Sequence, residues 1–139
     1  VPERSAYDYA VVRVVPDLDR AEFINVGVIL FAKTARALLT RVSLDPASLA
    51  RLAPAADAAL VRSHLDSLER IAAGDEDAGP IARLSPSQRF HWLVSPRSTM
   101  IQTSPVHSGL CDEPQAELDR LFERLVSPAG REAGVGGSR

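Results

Sequence analysis

Between Arg89 and Gly109 the sequence RFHWLVSPRSTMIQTSPVHSG gathers two of the chain's three histidines, its only Trp and Met, and a line of hydroxyls. The single cysteine, Cys111, follows directly. Three chemistries use such residues. His91, His107 and Cys111 are metal-ligand types, but sixteen residues separate the two histidines and neither CxxC nor HxxxH occurs. No metal and no cofactor are therefore expected. Cys111 with His107 or His91 could form a thiolate–imidazole pair, yet Asp112 and Glu113 follow the cysteine and disfavour a thiolate. No catalytic residue is assigned on that basis.

The third chemistry is anion binding. Arg97 could donate two parallel N–H bonds to a carboxylate or phosphate, with Ser98, Thr99, Gln102, Thr103 and Ser104 completing a cradle. No glycine-rich phosphate loop accompanies them. The plainer explanation is a surface turn at Pro96 leading into a strand edge.

The elements that must carry these groups can be read from hydrophobic pattern and punctuation. Tyr7–Val15 and Phe23–Phe31 are rich in β-branched and aromatic residues and apolar on both faces, which predicts two strands in a sheet covered on both sides. A turn at Lys33–Thr34 leads to a third strand over Ala37–Val42. Asp45–Pro46 opens a short helix to Leu52, and Pro54 opens a longer one to Ala73, closed by Gly74. Val61, Leu65, Leu68 and Ala72 share one face of that helix, with Asp66 and Arg70 paired outside. Ser85-Pro86-Ser87-Gln88 reads as a capping box for a third helix bearing Phe90, Trp92 and Leu93, which Pro96 ends near Val94. Thr99–Thr103 reads as a fourth strand, and Pro105 to Gly109 as a loop. Asp112 is the expected cap of a last helix through Leu118, Leu121, Phe122 and Leu125. The order β-β-β-α-α-α-β-α is an α+β fold, with a mainly antiparallel sheet of about four strands packed with helices. A single domain over residues 1–127 and a disordered tail over 128–139 are expected.

A second polar group interrupts the first hairpin. Antiparallel pairing about PDLDRAE sets Val15 opposite Phe23, Arg13 opposite Asn25 and Val11 opposite Gly27. Arg13 and Asn25 then stand inside apolar strands and need partners. Glu22 is the natural candidate for Arg13. Such a group serves either to fix register or to face a ligand, perhaps beside the Arg97–His107 segment across the sheet. Gly27 in mid-strand points to a bulge or a close approach.

The phrases YDYAVVRVVPD, EFINVGVILF and RFHWLVSPRSTMIQTSPVHSGLC, with the closing amphipathic helix, resemble the bacterial domain-of-unknown-function family DUF3037 from Ala6 to Val126. The resemblance brings no assigned activity, cofactor or catalytic residue. It implies a small bacterial protein and an association with HipA-like kinases.

Composition narrows the classes further. The chain has 139 residues, 45% of them hydrophobic and 24% charged, with a net charge of −2. That charge offers no electrostatic footprint for nucleic acid or an anionic membrane. One cysteine excludes an internal disulfide, no apolar run reaches membrane-spanning length, and VPERSAYDY lacks a signal-peptide layout. A cytoplasmic location is expected. The expected function is noncatalytic: a binding or accessory module for a protein partner such as a HipA-like kinase. Its contact surface would use Trp92, Arg97, Ser98, Gln102, Ser104 and His107, because aromatic and Arg side chains dominate binding energy. The alternative is an anion-binding sensor or enzyme using Arg97 with His91 or His107.

Overall fold

The computed structural model describes residues 4–17, 20, 22–96 and 99–126. Its frame is one antiparallel sheet built on a long central strand, β1 (Ser5–Asp17). β2 (Glu22–Ala32) lies on one side of it, followed outward by β3 (Ala37–Val42). On the other side two short strands run end to end along β1: β4 (Ile101–Thr103) beside Val12–Val14, and β5 (His107–Cys111) beside Ser5–Tyr9. The α+β class therefore holds, with one strand more than the sequence pattern indicates.

β5 replaces the loop expected from Pro105 to Gly109. Its composition lacks alternation, but β1 is long enough to template a second partner along the same edge. Gly109 belongs there because Tyr7 lies over it: a Cβ at 109 would stand 2.8 Å from the Tyr7 hydroxyl oxygen and 2.9 Å from its Cζ. β4 is shorter than expected, beginning at Ile101 rather than Thr99.

The first hairpin shows how a bulge changes register. Arg13 does oppose Asn25, and Val14 opposes Ile24. Beyond them the register shifts, so that Gly27 faces Val12 rather than Val11. Val26 is the extra residue on β2, and its side chain turns into the same core as Ile29 and Phe31. A second shift between Val14 and Asp17 replaces the expected Val15–Phe23 pair with Asp17 opposite Glu22. Pro16 has no N–H for the ladder, and the Val15 N–H turns to the Met100 carbonyl at 2.7 Å instead.

Helices cover both faces, as the two-sided strands require. On one face α1 (Pro46–Leu52), α2 (Ala58–Ala73) and α3 (Pro86–Leu93) pack on Val12, Val14, Ile29 and Phe31 through Leu49, Val61, Leu65, Leu68, Phe90 and Leu93. On the other face α4 (Pro114–Leu125) packs Leu118, Leu121 and Phe122 on Tyr7, Val28, Leu30 and Ala32. Asp45 caps α1, and Ser85 with Gln88 forms the capping box of α3. Gly74 closes α2 in the left-handed conformation.

Three local readings are corrected. α2 begins at Ala58 rather than Pro54, because the Asp57 carboxylate accepts from the Ala59 and Leu60 N–H groups. α4 is capped by Glu113 rather than Asp112: Pro114 takes the first helical position, which places the residue before it at the cap. Arg70 pairs at 2.8 Å with Asp75, past the helix end, and not with Asp66. The tail expected over 128–139 lies outside the described residues.

One polar network ties α4 to β1. The Tyr7 hydroxyl donates to Glu117 at 2.5 Å, and Arg120 donates to both carboxylate oxygens of Glu117 at 2.9 and 2.6 Å. Burial, reinforced by Glu117, pushes the Tyr7 pKa up to about 12. The unfolded chain gives up this proton near pH 10, its ordinary value, while the folded protein retains it. Stability from Tyr7 is thus fully present below pH 10 and is lost as pH rises towards about 12. Denaturant titrations across that window should show wild type falling more steeply than Tyr7→Phe. Parallel slopes would contradict the assignment.

Candidate functional site

Where α2 and α3 splay apart above β4 they leave a cleft of about 220 Å³. Its floor is apolar: Leu68 and Ile71 from α2, Leu93 from α3, and Met100 and Ile101 leading into β4. Its rim carries His64, Ser67, Ser95, Thr99, Gln102 and Thr103. Trp92, 37% exposed, forms one wall. Helical spacing explains the α2 wall, since His64, Ser67 and Ile71 follow one another at three and four residues and flank the stripe that packs on the sheet. α3 turns Phe90 and Leu93 into the core, which leaves Trp92 at the boundary. The rigid capping box and the Phe31–Phe90 ring contact at 5.7 Å hold that helix in place.

The segment singled out in the sequence is divided by the sheet. Ile101 and Thr103 look towards the cleft face, together with Val12 and Val14 opposite them, whereas Gln102 looks towards the α4 face. His107 is also on the α4 face, where its ring lies 5.3 Å from Tyr9. His91 is exposed on α3, with its Nδ1–H donated to the Ser87 carbonyl at 2.8 Å. The two histidines thus stand on opposite faces and cannot act as an acid–base pair. Arg97 and Ser98, the centre of the expected anion cradle, lie outside the described residues.

Ser104 joins the two edge strands instead of lining a pocket. It is 5% exposed, and its Oγ accepts from the Val11 N–H at 2.9 Å and donates to the Pro105 carbonyl at 2.9 Å. The Ser104 N–H donates to the Val11 carbonyl at 2.8 Å. The side chain therefore takes the place of a missing backbone acceptor where the edge strand breaks.

The hairpin group also resolves. Gln102 and Asn25 flank Arg13 as its cross-strand neighbours, so the conjectured adjacency to the 97–107 segment is real for Gln102. Glu22 is not the partner of Arg13. Arg20, two residues away in the connection, donates to both Glu22 oxygens at 2.9 and 3.1 Å. The Arg13 guanidinium instead lies 4.1 Å from the centre of the Phe23 ring.

The structure does not bring His91, His107 and Cys111 together. Cys111 is buried, and burial, aided by Glu117, Asp112 and Glu113, pushes its thiol pKa up and suppresses the thiolate. His107 is four residues away on the same strand, roughly 13 Å at a strand's rise. Among the described residues no three His, Cys, Asp or Glu side chains gather for a metal ion, and no helix is long and apolar enough to cross a membrane.

His64, Ser67, Ile71, Ser95 and Met100 line the cleft but are not among the candidate site residues of the sequence. The available signal was the polar flank of α2, and it becomes informative only once β4 is known to pass in front of it.

A family model described as "Protein of unknown function (DUF3037)" matches residues 9–126, nearly all of the described chain. No curated protein and no solved structure matches.

Proposed function

We propose that this chain, which belongs to the DUF3037 family of proteins of unknown function, is a noncatalytic module that recognises a protein partner through the cleft beside Trp92. The observation that carries the reading is the cleft's size and lining. Small-molecule pockets run to about 300–1,000 Å³, whereas this one, at about 220 Å³, suits a single large apolar side chain. A half-exposed Trp over an apolar floor with a hydroxyl rim is the arrangement in which one anchor residue supplies most of the binding energy. The separation of His91 from His107 and the buried, protonated Cys111 favour recognition over chemistry.

The resemblance supplies a first partner to try, a HipA-like kinase. Coexpression of the two proteins should yield a complex that survives size-exclusion chromatography. Trp92→Ala should weaken it by about 30-fold, the scale of a hot-spot loss of 2 kcal/mol, while His91→Ala leaves it unchanged. No complex at micromolar concentration removes the kinase. A complex indifferent to Trp92→Ala removes the cleft.

A further inference from the structure

β5 pairs only with β1 and forms a free edge of the sheet. Its orientation follows from the ladder. Val11 turns its N–H and carbonyl towards the β4–β5 side, where both bond Ser104. Backbone groups alternate along a strand, so Tyr9, Tyr7 and Ser5 turn the same way and pair with His107, Gly109 and Cys111. Ser108 and Leu110 lie between those partners and turn their N–H and carbonyl groups outward. Among the described residues nothing bonds to these groups. The side chains of this edge are exposed as well. Leu110 is 58% exposed and Val106, one residue before the strand, 43%. Alternation puts Leu110 on the face of Ser108, whose hydroxyl donates to Asp8 at 2.6 Å.

An edge that stays in water is normally blunted by a charged residue, a proline or a bulge. From Val106 to Cys111 there is no Lys, Arg, Asp, Glu or Pro, and the pairing with β1 has no register shift. A row of outward N–H and carbonyl groups is matched by another extended strand. The side chains say which strand. Val106 and Leu110 each stand two residues from Ser108, one on either side. A second copy laid antiparallel about a two-fold axis at Ser108 sets each Leu110 against Val106 of the other copy. Across the axis the two Ser108 residues exchange N–H and carbonyl bonds. We propose that two copies of this chain associate edge to edge through β5 in this register, joining their sheets into one. A register centred on Gly109 would set Leu110 against Ser108 and Val106 against Asp112, which wastes both apolar contacts. Pairing β5 with β3 of another copy would repeat without closing, whereas the two-fold pair closes on itself.

Sedimentation equilibrium of the whole chain tests the association. One strand per copy is a small interface, so a dissociation constant on the order of 100 μM is expected. Leu110→Lys should weaken it at least about tenfold by placing a charge on the edge. The same change should leave the melting temperature alone, because the side chain it replaces is exposed. Should Leu110→Lys fail to fold, Val106→Lys makes the comparison at the other half of the pair. Ser108→Cys reads the register. Opposed residues of a hydrogen-bonded antiparallel pair have Cα atoms about 5.5 Å apart, within the roughly 4.4–6.8 Å that a disulfide spans. Mild oxidation of Ser108→Cys should therefore give a covalent dimer on a non-reducing gel. Leu110→Cys should not, since its two copies would stand at least about 13 Å apart. Wild type, whose Cys111 is buried, should also stay uncrosslinked. A protein still monomeric at about 1 mM, or a dimer indifferent to Leu110→Lys, overturns the pairing. So does a Ser108→Cys protein that does not crosslink, or one that crosslinks no better than Leu110→Cys.

Discussion

Replacing Gly27 by alanine is expected to destabilise the protein by about 2–3 kcal/mol, in the range of core overpacking, and to lower its melting temperature by roughly 10 °C. The new methyl would sit 2.8 Å from the Arg41 carbonyl oxygen and 2.8 Å from Val42 Cγ2, with Val42 Cα at 3.2 Å. Two of these three atoms are backbone, so relief requires β2 and β3 to separate. Separation would carry further, because Arg41 links β3 to α4 through Asp119 at 3.2 Å, Glu123 at 3.4 Å and the Phe122 ring at 4.1 Å. Trimming Val42 to alanine removes only one of the collisions. The double variant Gly27→Ala/Val42→Ala should therefore be less unstable than the sum of the singles, with a coupling of about 1 kcal/mol. Chemical denaturation of the four proteins measures it. A Gly27→Ala protein that melts with wild type would show that the strands do not approach so closely.

Ser104→Ala should cost about 2 kcal/mol, because it leaves the Val11 N–H buried without an acceptor. The loss would be local. Val11 amide exchange should accelerate, followed by the amides that pair β5 with Ser5–Tyr9, since Ser104 is the joint between the two edge strands. Hydrogen exchange read by NMR resolves those residues individually. If Ser104 belonged to an anion cradle, its loss would spare stability and Val11 protection while weakening a bound anion. That outcome would restore the reading suggested by its neighbours in the sequence.

Much of the frame was legible because it depends on short-range rules. β-branched runs made β1, β2 and β3, and the Ala37–Val42 strand was bounded as expected. Asp45–Pro46 and Ser85–Gln88 announced helix starts because a cap and a proline act within four residues. The errors fall where two local signals compete. Pro54 and Asp57 could each open α2, and the carboxylate that reaches two N–H groups prevailed. Asp112 and Glu113 could each cap α4, and Pro114 decided between them.

The site was legible only in part. Trp92 could be singled out as an aromatic residue on a short helix, but its cleft needs α2 beside it and β4 beneath it. Arg13 and Asn25 were visible as polar residues in apolar strands. That no acid among the described residues would pair with Arg13 could not be read, because Glu22 was the nearest carboxylate in the pattern and Arg20 took it.

The sequence by itself determined the type of every strand and α-helix except β5, and the two apolar faces of the central strands, both consequences of side-chain period and spacing. Only the tertiary structure decided which face each polar residue occupies. In a strand, neighbours point to opposite sides, so Thr103 shares a face with Val12 and Gln102 with Arg13, although both border the cleft. A single bulge at Val26 then determined which residues meet across β1 and β2. What reads in one dimension as a single reactive cluster is, in the folded protein, divided between a cleft above one face of the sheet and His107 beside Tyr9 on the other.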